Sequence, residues 1–540
     1  MTLSERSEAT GRAIFLAIVL VIAAQFYLVF NKAINWDEFL HYSIVFDLPR
    51  GRVVWVFQTI MYRFLDWIPL VAPKVIDGIL VARLVMLACE IAAMVFIVLL
   101  ARKFVDRQAA LLAGLLYVSG GFVFLHGFSL RPDPFVAALL MGALYVLAIG
   151  RLTMLHIVLA GFLVGLAGMS NMKAIFYAPA FAGVAYLVWH ESEYRGRAAF
   201  RLAMVPLVAA AVFTILYLFH SPSIASEGAP ASTLSARMAS YVGGDETPRY
   251  GYSLKQFLIA PVLTIGILLL SIAWRGQDDA RRLALVGLLL PLSTLLFYRN
   301  TFPYYFVFIL PPICVAISPS LAWLARRYNV WLVAVAIVAT PAALLVSYHD
   351  DVLQRQRLLL SEIDRLYPQE TGYLAYTGTV SHYPRVIPNL ISGVGLKRYH
   401  QRGEPVIARA IERGETGFVI DDHWVLSAAL RKESIPRTLL AEDFAQIGNN
   451  FIRYSGPIWV YGKQLCRGQG KVELYRSGPY TFSSDAVVDG REVAADEPVE
   501  INRGTHVIEP MSARCVKLWN LAEPFTDARN WPEGRYTDGF

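Results

Sequence analysis

Asp37 and Glu38 stand side by side in the stretch Asn35-Trp36-Asp37-Glu38, a few residues beyond the first long apolar run, with His41 following one turn later. Ionised groups at a membrane face are costly unless they are used or solvated, so this pair is the first candidate for chemistry. Three later polar stretches have the same character: His126 to Arg131-Pro132-Asp133, Ser170-Asn171 with Lys173, and Tyr298-Arg299 running on to Tyr304-Tyr305. Acids and bases gathered at one membrane face suit a lipid substrate that carries a phosphate. Arg and Lys neutralise the phosphate, and a carboxylate acts on a hydroxyl.

The elements that must position these residues follow from hydropathy. With 56% hydrophobic and 17% charged residues and a mean hydropathy of +0.46, the chain lies outside the range of a soluble globular protein. Eleven apolar runs approach the length needed to cross about 30 Å of hydrocarbon: 14–30, 79–100, 109–125, 134–149, 152–169, 174–189, 202–219, 257–274, 283–297, 304–324 and 330–346. This predicts a polytopic α-helical membrane protein of about eleven spans. The short loops carrying Arg6 and Arg12, Arg102, Lys103 and Arg107, Arg151, Arg195, Arg197 and Arg201, Arg275, Arg281 and Arg282, and Arg326 and Arg327 all fall on one side. By the positive-inside rule that side is the cytoplasm, which puts Asp37, the three later polar turns and everything after the last run outside. No small-residue cleavage site follows the first run, so it reads as a retained helix rather than a signal peptide.

Two folding units are expected: a membrane part over 1–348 and a soluble C-terminal domain over 349–540, long enough for its own core. In the latter, 372–376, 405–412 and 417–420 read as strand, helix and strand. The stretches 457–461, 471–475, 478–482, 487–493, 498–502 and 504–510 read as short strands with Gly, Asp and Pro at the turns. The expectation is a mixed α/β segment followed by a β-sandwich. Cys89 and Cys314 lie in apolar runs, whereas Cys466 and Cys515 lie in the tail, where a disulfide joining two strands is open to them outside the cytoplasm. No cysteine spacing resembles a zinc site, and the net charge of +7 comes mostly from loop arginines, so nucleic acid is not an expected partner.

Each candidate also has a plain structural reading. Asp37 and Glu38 suit a helix N-terminus, where they complement the dipole. Asp133 suits a local ion pair and cap, Lys173 and Arg299 suit snorkelling to the interface, and His41 and His126 suit ordinary hydrogen bonding, with metal ligation left open. Arg83 and Glu90, inside the second run, suit an intramembrane polar contact. Residues 52–68 have apolar positions at helical spacing and read as a helix in the outer interface. The loop 221–255 reads as a segment able to order over the site when substrate arrives.

Taken in order, four motifs resemble the GT-C superfamily of membrane glycosyltransferases, in particular the branch holding the lipid A aminoarabinose transferases and protein O-mannosyltransferases. They are Asp37-Glu38-Phe39-Leu40-His41-Tyr42, Arg131-Pro132-Asp133-Pro134 opening an apolar run, Gly165-Leu166-Ala167 leading to Asn171 and Lys173, and Pro303-Tyr304-Tyr305 leading to Pro311-Pro312. In the third, Asn171 stands where the family often has lysine, and Lys173 follows two residues later. The resemblance spans roughly residues 10–350; the tail matches in position only. It implies a polyprenyl-phosphate-linked sugar donor, a glycan, lipid or protein acceptor, and a single inverting displacement at the anomeric carbon. It also implies residence in a bacterial inner membrane, with the N-terminus cytoplasmic and the C-terminal domain periplasmic. Asp37 is then the base, with Glu38 beside it as a group supporting the base, a metal ligand or a helix-start charge. Arg131, Lys173 and Arg299 offset the leaving phosphate, and His41, His126, Asp133, Tyr304 and Tyr305 line the substrate site. Whether a divalent metal takes part stays open. Two other classes compete: a transporter or flippase of a lipid-linked sugar, which would place charges near the bilayer midplane and show paired halves, and a carbohydrate-binding membrane scaffold.

Overall fold

In the computed structural model, which describes residues 3–53, 55–149, 152–224, 248–348, 351–387, 393–434, 439–468, 470–511, 514–524, 531–532 and 534–536, each of the eleven apolar runs is helical over most of its length, with breaks such as those at 119–121 and 260. The chain divides by its contacts into two units: Met1–Lys32 with Ile44–Asp350 and the terminal Phe540, and Ala33–Ser43 with Asp351–Gly539.

The first unit is helical. Its long helices include α1 (Leu3–Asn31), α3 (Val75–Ala101), α7 (Met154–Ser170), α9 (Arg195–His220) and α15 (Val330–Ser347); α2 (Trp36–Asp47) follows α1, and its residues as far as Ser43 belong to the second unit. Between α3 and α7 lie α4 (Arg107–Val118), α5 (Phe122–His126) and α6 (Pro132–Ala148). After α7 comes α8 (Ala178–Glu191), and after α9 come α10 (Tyr250–Ile259), α11 (Pro261–Leu268), α12 (Asp279–Leu289), α13 (Tyr305–Ala316) and α14 (Ser318–Tyr328). Among the described residues, five helical stretches are by length and composition able to cross a membrane, or seven if the bent pairs α10–α11 and α13–α14 each count as one span. With the shorter apolar helices α4, α6 and α7 they make up the polytopic helical membrane part that was expected. Pro261 and Pro319 stand at the two bends of 95° and 60°, where a ring without an N–H interrupts the helical ladder. The helices α4, α6 and α7 have only 12, 17 and 17 residues.

Gly161 and Gly165 on α7 let α9 approach closely: a Cβ on either would fall 2.6 Å from Val208 Cβ or the Ala209 carbonyl, the spacing that small-residue membrane contacts use. Residues 52–68 do not form the interfacial helix expected of them. Among its described residues, 57 and 58 form a turn, with Gln58 at φ 71°, and 60–65 close a 3-10 helix. Polar contacts take the place of helical bonds here: Gln58 N–H donates to the Met169 carbonyl at 3.3 Å, Thr59 Oγ1 lies 2.7 Å from His220 Nε2, and Arg63 Nε donates to His220 Nδ1 at 2.9 Å. Most of the loop 221–255, including Gly243 and Asp245, lies outside the described residues.

The second unit opens with α16 (Val352–Leu366). The expected strand, helix and strand are present as β1 (Gly372–Leu374), α18 (Val406–Glu412) and β2 (Thr416–Ile420), with α17 (Gly393–Arg402) before α18. Then follow α19 (Trp424–Leu430), α20 (Ala441–Asn450), β3 (Phe451–Ser455) and β4 (Ile458–Cys466). The remaining strands are β5 (Lys471–Leu474), β6 (Gly478–Phe482), β7 (Ala486–Val488), β8 (Arg491–Val493), β9 (Val499–Ile501), β10 (Gly504–Pro510) and β11 (Cys515–Trp519). One sheet runs β1-β2-β4-β11-β6-β9 with β3 also on β4, and a second runs β5-β10-β7-β8. The α/β and all-β portions therefore share a continuous sheet, and one apolar core draws on both. The single strand expected over 487–493 is a hairpin instead, turned by Asp489 and Gly490 at φ 51° and 84°, the residue pair that tight hairpin turns favour. Cys466 and Cys515 lie opposite one another on β4 and β11 and are joined as a disulfide.

Candidate active site

Asp37 is set by a helix start. Asn35 precedes α2, and its Oδ1 accepts the Asp37 N–H at 3.0 Å, while Glu38 Oε2 accepts the Asn35 N–H at 3.1 Å. These reciprocal bonds make a capping box, in which the N-cap and the third helical residue each satisfy one of the N–H groups a helix start leaves without helical partners. Glu38 is fully buried and Asp37 is 7% exposed. The box gives Glu38 a structural task and fixes the direction of the turn that carries Asp37. The Asn-x-x-Glu spacing was legible in the sequence as this signature. His41 follows on the same helix, half-buried.

In the helical unit, Arg131, Asp133, Lys173, Tyr304 and Tyr305 come together. Arg131 precedes Pro132 and is extended (φ −152°, ψ 158°), as the residue before proline prefers. Pro132 then starts α6 and Asp133 lies in its first turn, where the helix dipole favours a negative charge. Asp133 bonds Lys173 Nζ through Oδ1, and Arg131 Nε lies 3.6 Å from Oδ2. Lys173 is delivered by the end of α7: Asn171 leaves the helix in an extended conformation and its Oδ1 accepts the Lys173 N–H at 3.1 Å, starting a 3-10 turn over Met172–Tyr177. The Arg131 guanidinium lies 3.2 Å from the centre of the Tyr304 ring, and Lys173 Nζ lies 5.5 to 5.6 Å from the rings of Tyr304, Tyr305 and Phe308, a cation–π setting. Tyr305 is held by Thr294, hydroxyl to hydroxyl at 2.5 Å, and by the Tyr298 ring at 4.8 Å. All three charged groups are at least 90% buried, so both cations meet the Asp133 carboxylate in a low-dielectric setting.

Of the other expected residues, His126 is buried with its ring 6.2 Å from Phe122, and Arg299 is half-buried on the turn before Tyr304. Arg83 and Glu90 serve separate contacts. Arg83 Nη1 donates to the Val29 and Lys32 carbonyls at 3.0 and 2.8 Å, neutralising the C-terminal end of α1. Glu90 accepts from Gln25 Nε2 at 2.8 Å. Among the described residues no group of three or more His, Cys, Asp or Glu side chains is placed to hold a metal ion.

The sequence motifs missed Tyr117 and Tyr177. Pro311 and Pro312 inside α13 remove the N–H groups that would bond the carbonyls of Val307 and Phe308, one turn back. The Tyr117 hydroxyl donates to the Val307 carbonyl at 3.0 Å and the Tyr177 hydroxyl to the Phe308 carbonyl at 2.5 Å. The double proline signals two orphaned carbonyls, but nothing local says which hydroxyls reach them.

Residues 65–220 match the family model described as dolichyl-phosphate-mannose-protein mannosyltransferase. No curated protein matches the sequence. Among solved structures, the Archaeoglobus fulgidus oligosaccharyltransferase in its apo form is 14% identical, with 83% of this chain and 74% of that one covered at a TM-score of 0.48. ArnT from Cupriavidus metallidurans bound to undecaprenyl phosphate is 13% identical, with coverage of 81% and 84% and a TM-score of 0.47. Arabinosyltransferase EmbB from Mycobacterium smegmatis is 11% identical, with coverage of 94% and 64% and a TM-score of 0.41. Such distant likenesses assign no residue its role. The likeness to the GT-C membrane glycosyltransferases raised by the four sequence motifs is borne out by the family model, over residues 65–220.

Proposed function

We propose that the protein is an inverting glycosyltransferase that moves a sugar from a polyprenyl-phosphate donor to a hydroxyl of a glycan, lipid or protein acceptor, on the periplasmic face of a bacterial inner membrane. The observation that carries this reading is the buried cluster in which Arg131 and Lys173 both meet the carboxylate of Asp133 beside Tyr304. Arg and Lys side chains gathered in one buried place are the donors that bind a phosphate. In the proposed step the acceptor oxygen bonds to the anomeric carbon as the bond from that carbon to the phosphate oxygen breaks. Asp37 takes the acceptor proton, and the bond electrons leave with the polyprenyl phosphate. Arg131 and Lys173, with Arg299, stabilise the charge that grows on the leaving oxygen. His41, His126, Tyr304 and Tyr305 contact donor or acceptor. The Cys466–Cys515 disulfide supports the placement of the tail outside the cytoplasm.

The test is sugar transfer by the full-length protein in lipid nanodiscs supplied with labelled polyprenyl-phosphate sugars and a panel of hydroxyl acceptors. Asp37→Asn is expected to lower kcat by about 10² to 10⁴, the range for loss of a general base. Lys173→Met is expected to lower kcat/KM for the donor by roughly 30-fold, about 2 kcal/mol of lost charge pairing. Unchanged transfer in folded Asp37→Asn would remove the assigned mechanism.

A further inference from the structure

The segment that carries Asp37 does not group with the helices on either side of it; it groups with the C-terminal domain. The bonds responsible are specific. Gln356 on α16 is fully buried, and its amide engages both backbone groups of Ile34: Oε1 accepts the Ile34 N–H at 3.0 Å and Nε2 donates to the Ile34 carbonyl at 2.8 Å. A side-chain amide so paired imitates one rung of a β-ladder and fixes the chain one residue before the capping box. On the far side of that box, Ser381 Oγ donates to the Phe39 carbonyl at 3.0 Å, sharing its hydrogen with the Gly378 carbonyl. Gly378 lies flat against the same turn: a Cβ there would fall 3.2 Å from Leu40 Cα and 3.3 Å from Leu40 N. The loop 376–381 is itself braced by the sheet. Asp422, two residues beyond β2, accepts the N–H of Tyr376 at 2.9 Å, the N–H of Thr377 at 3.0 Å and the Thr377 hydroxyl at 2.6 Å.

We propose that Gln356, Gly378 and Ser381 are positioning residues for transfer, and that the C-terminal domain acts as the mount for the base. This inference rests on the reading of Asp37 as that base. The physical case is stiffness. Asp37 lies on the first turn of a helix whose start is pinned before and after by groups from one β-rich domain, so the carboxylate keeps its direction without a substrate to order it. Small displacements of a reacting group cost rate more than affinity. Loss of a pin is therefore expected to appear in kcat.

The experiment uses the full-length protein in nanodiscs, with Gln356→Ala and the milder Ser381→Ala, each checked for an intact Cys466–Cys515 disulfide and unaltered exchange in β4 and β11. Hydrogen exchange of the amides of 33–43 and the kinetics of transfer are read on the same samples. Faster exchange in 33–43, with kcat down about tenfold or more and donor KM changed less than about twofold, supports the proposal. Unchanged exchange overturns it, as does faster exchange with unchanged kcat in a background where Asp37→Asn is inactive. If Asp37→Asn itself transfers normally, the base reading fails, and the exchange result still decides whether the mount exists.

Discussion

Glu38 and Asp37 are adjacent in sequence and differ in the work proposed for them. Glu38 closes the capping box on Asn35, which needs an acceptor oxygen and not a charge, whereas a proton acceptor for a sugar hydroxyl must be a carboxylate. Glu38→Gln keeps an oxygen for the Asn35 N–H, so it is expected to leave transfer within about threefold and folding unchanged. Glu38→Ala removes the acceptor and is expected to cost about 1 kcal/mol of local stability, read as faster exchange of the first α2 amides. A loss of transfer in Glu38→Gln comparable to that in Asp37→Asn would make Glu38 a catalytic group as well. The candidate charges were legible in the sequence because ionised side chains at the ends of apolar runs stand out. Their pairing was not: Lys173 meets Asp133 across 40 residues, and neither residue type specifies its partner.

Among the elements, α13 shows how a broken ladder is repaired. Its two prolines leave the Val307 and Phe308 carbonyls without helical donors, and Tyr117 and Tyr177 supply hydroxyls from α4 and from the 3-10 turn that also carries Lys173. Tyr117→Phe and Tyr177→Phe are each expected to destabilise the membrane part by about 0.5 to 2 kcal/mol, measured by denaturant unfolding in detergent. The cost of Tyr117→Phe is expected to shrink in a Pro311→Ala background, because the restored N–H reaches the same carbonyl. No coupling in that cycle would show the hydroxyl contact to be idle. Helical periodicity located the apolar runs well, yet it misled at 52–68, where the spacing of Val53, Val56, Phe57 and Ile60 is that of a helix. There the bonds of Gln58, Thr59 and Arg63 to α7 and α9 outweigh local preference, a tertiary override of the kind weak propensities permit.

At the scale of the whole chain, the C-terminal domain is one β-rich body closed by a covalent bond. The disulfide joins facing residues of β4 and β11 and closes a separation of 49 residues, so its loss is expected to cost about 2 to 4 kcal/mol through the freedom it returns to the unfolded chain. Cys466→Ser with Cys515→Ser should lower the melting temperature of the full-length protein and make it insensitive to reductant, while the parent falls to the same value only when reduced. A parent whose melting ignores reductant would show that the bridge contributes nothing. The mixed sheet shows how the α/β segment and the strands after it, expected in succession within one domain, are joined. Strand patterns reveal alternation and turns, but which strands become neighbours is settled by pairings such as β2 with β4 and β4 with β11.

By itself the sequence determined that the chain is a polytopic helical membrane protein with a strand-bearing tail, and which ionisable residues stand at the ends of its apolar runs. Those properties follow from hydropathy and local period, which each stretch carries within itself. Only the tertiary structure decided that Ala33–Ser43 groups with the tail, that Gln356 reaches Ile34 across 322 residues, and that Lys173 meets Asp133 across 40 residues. These are bonds between groups far apart along the chain, and no local pattern records a partner that only folding brings within 3 Å.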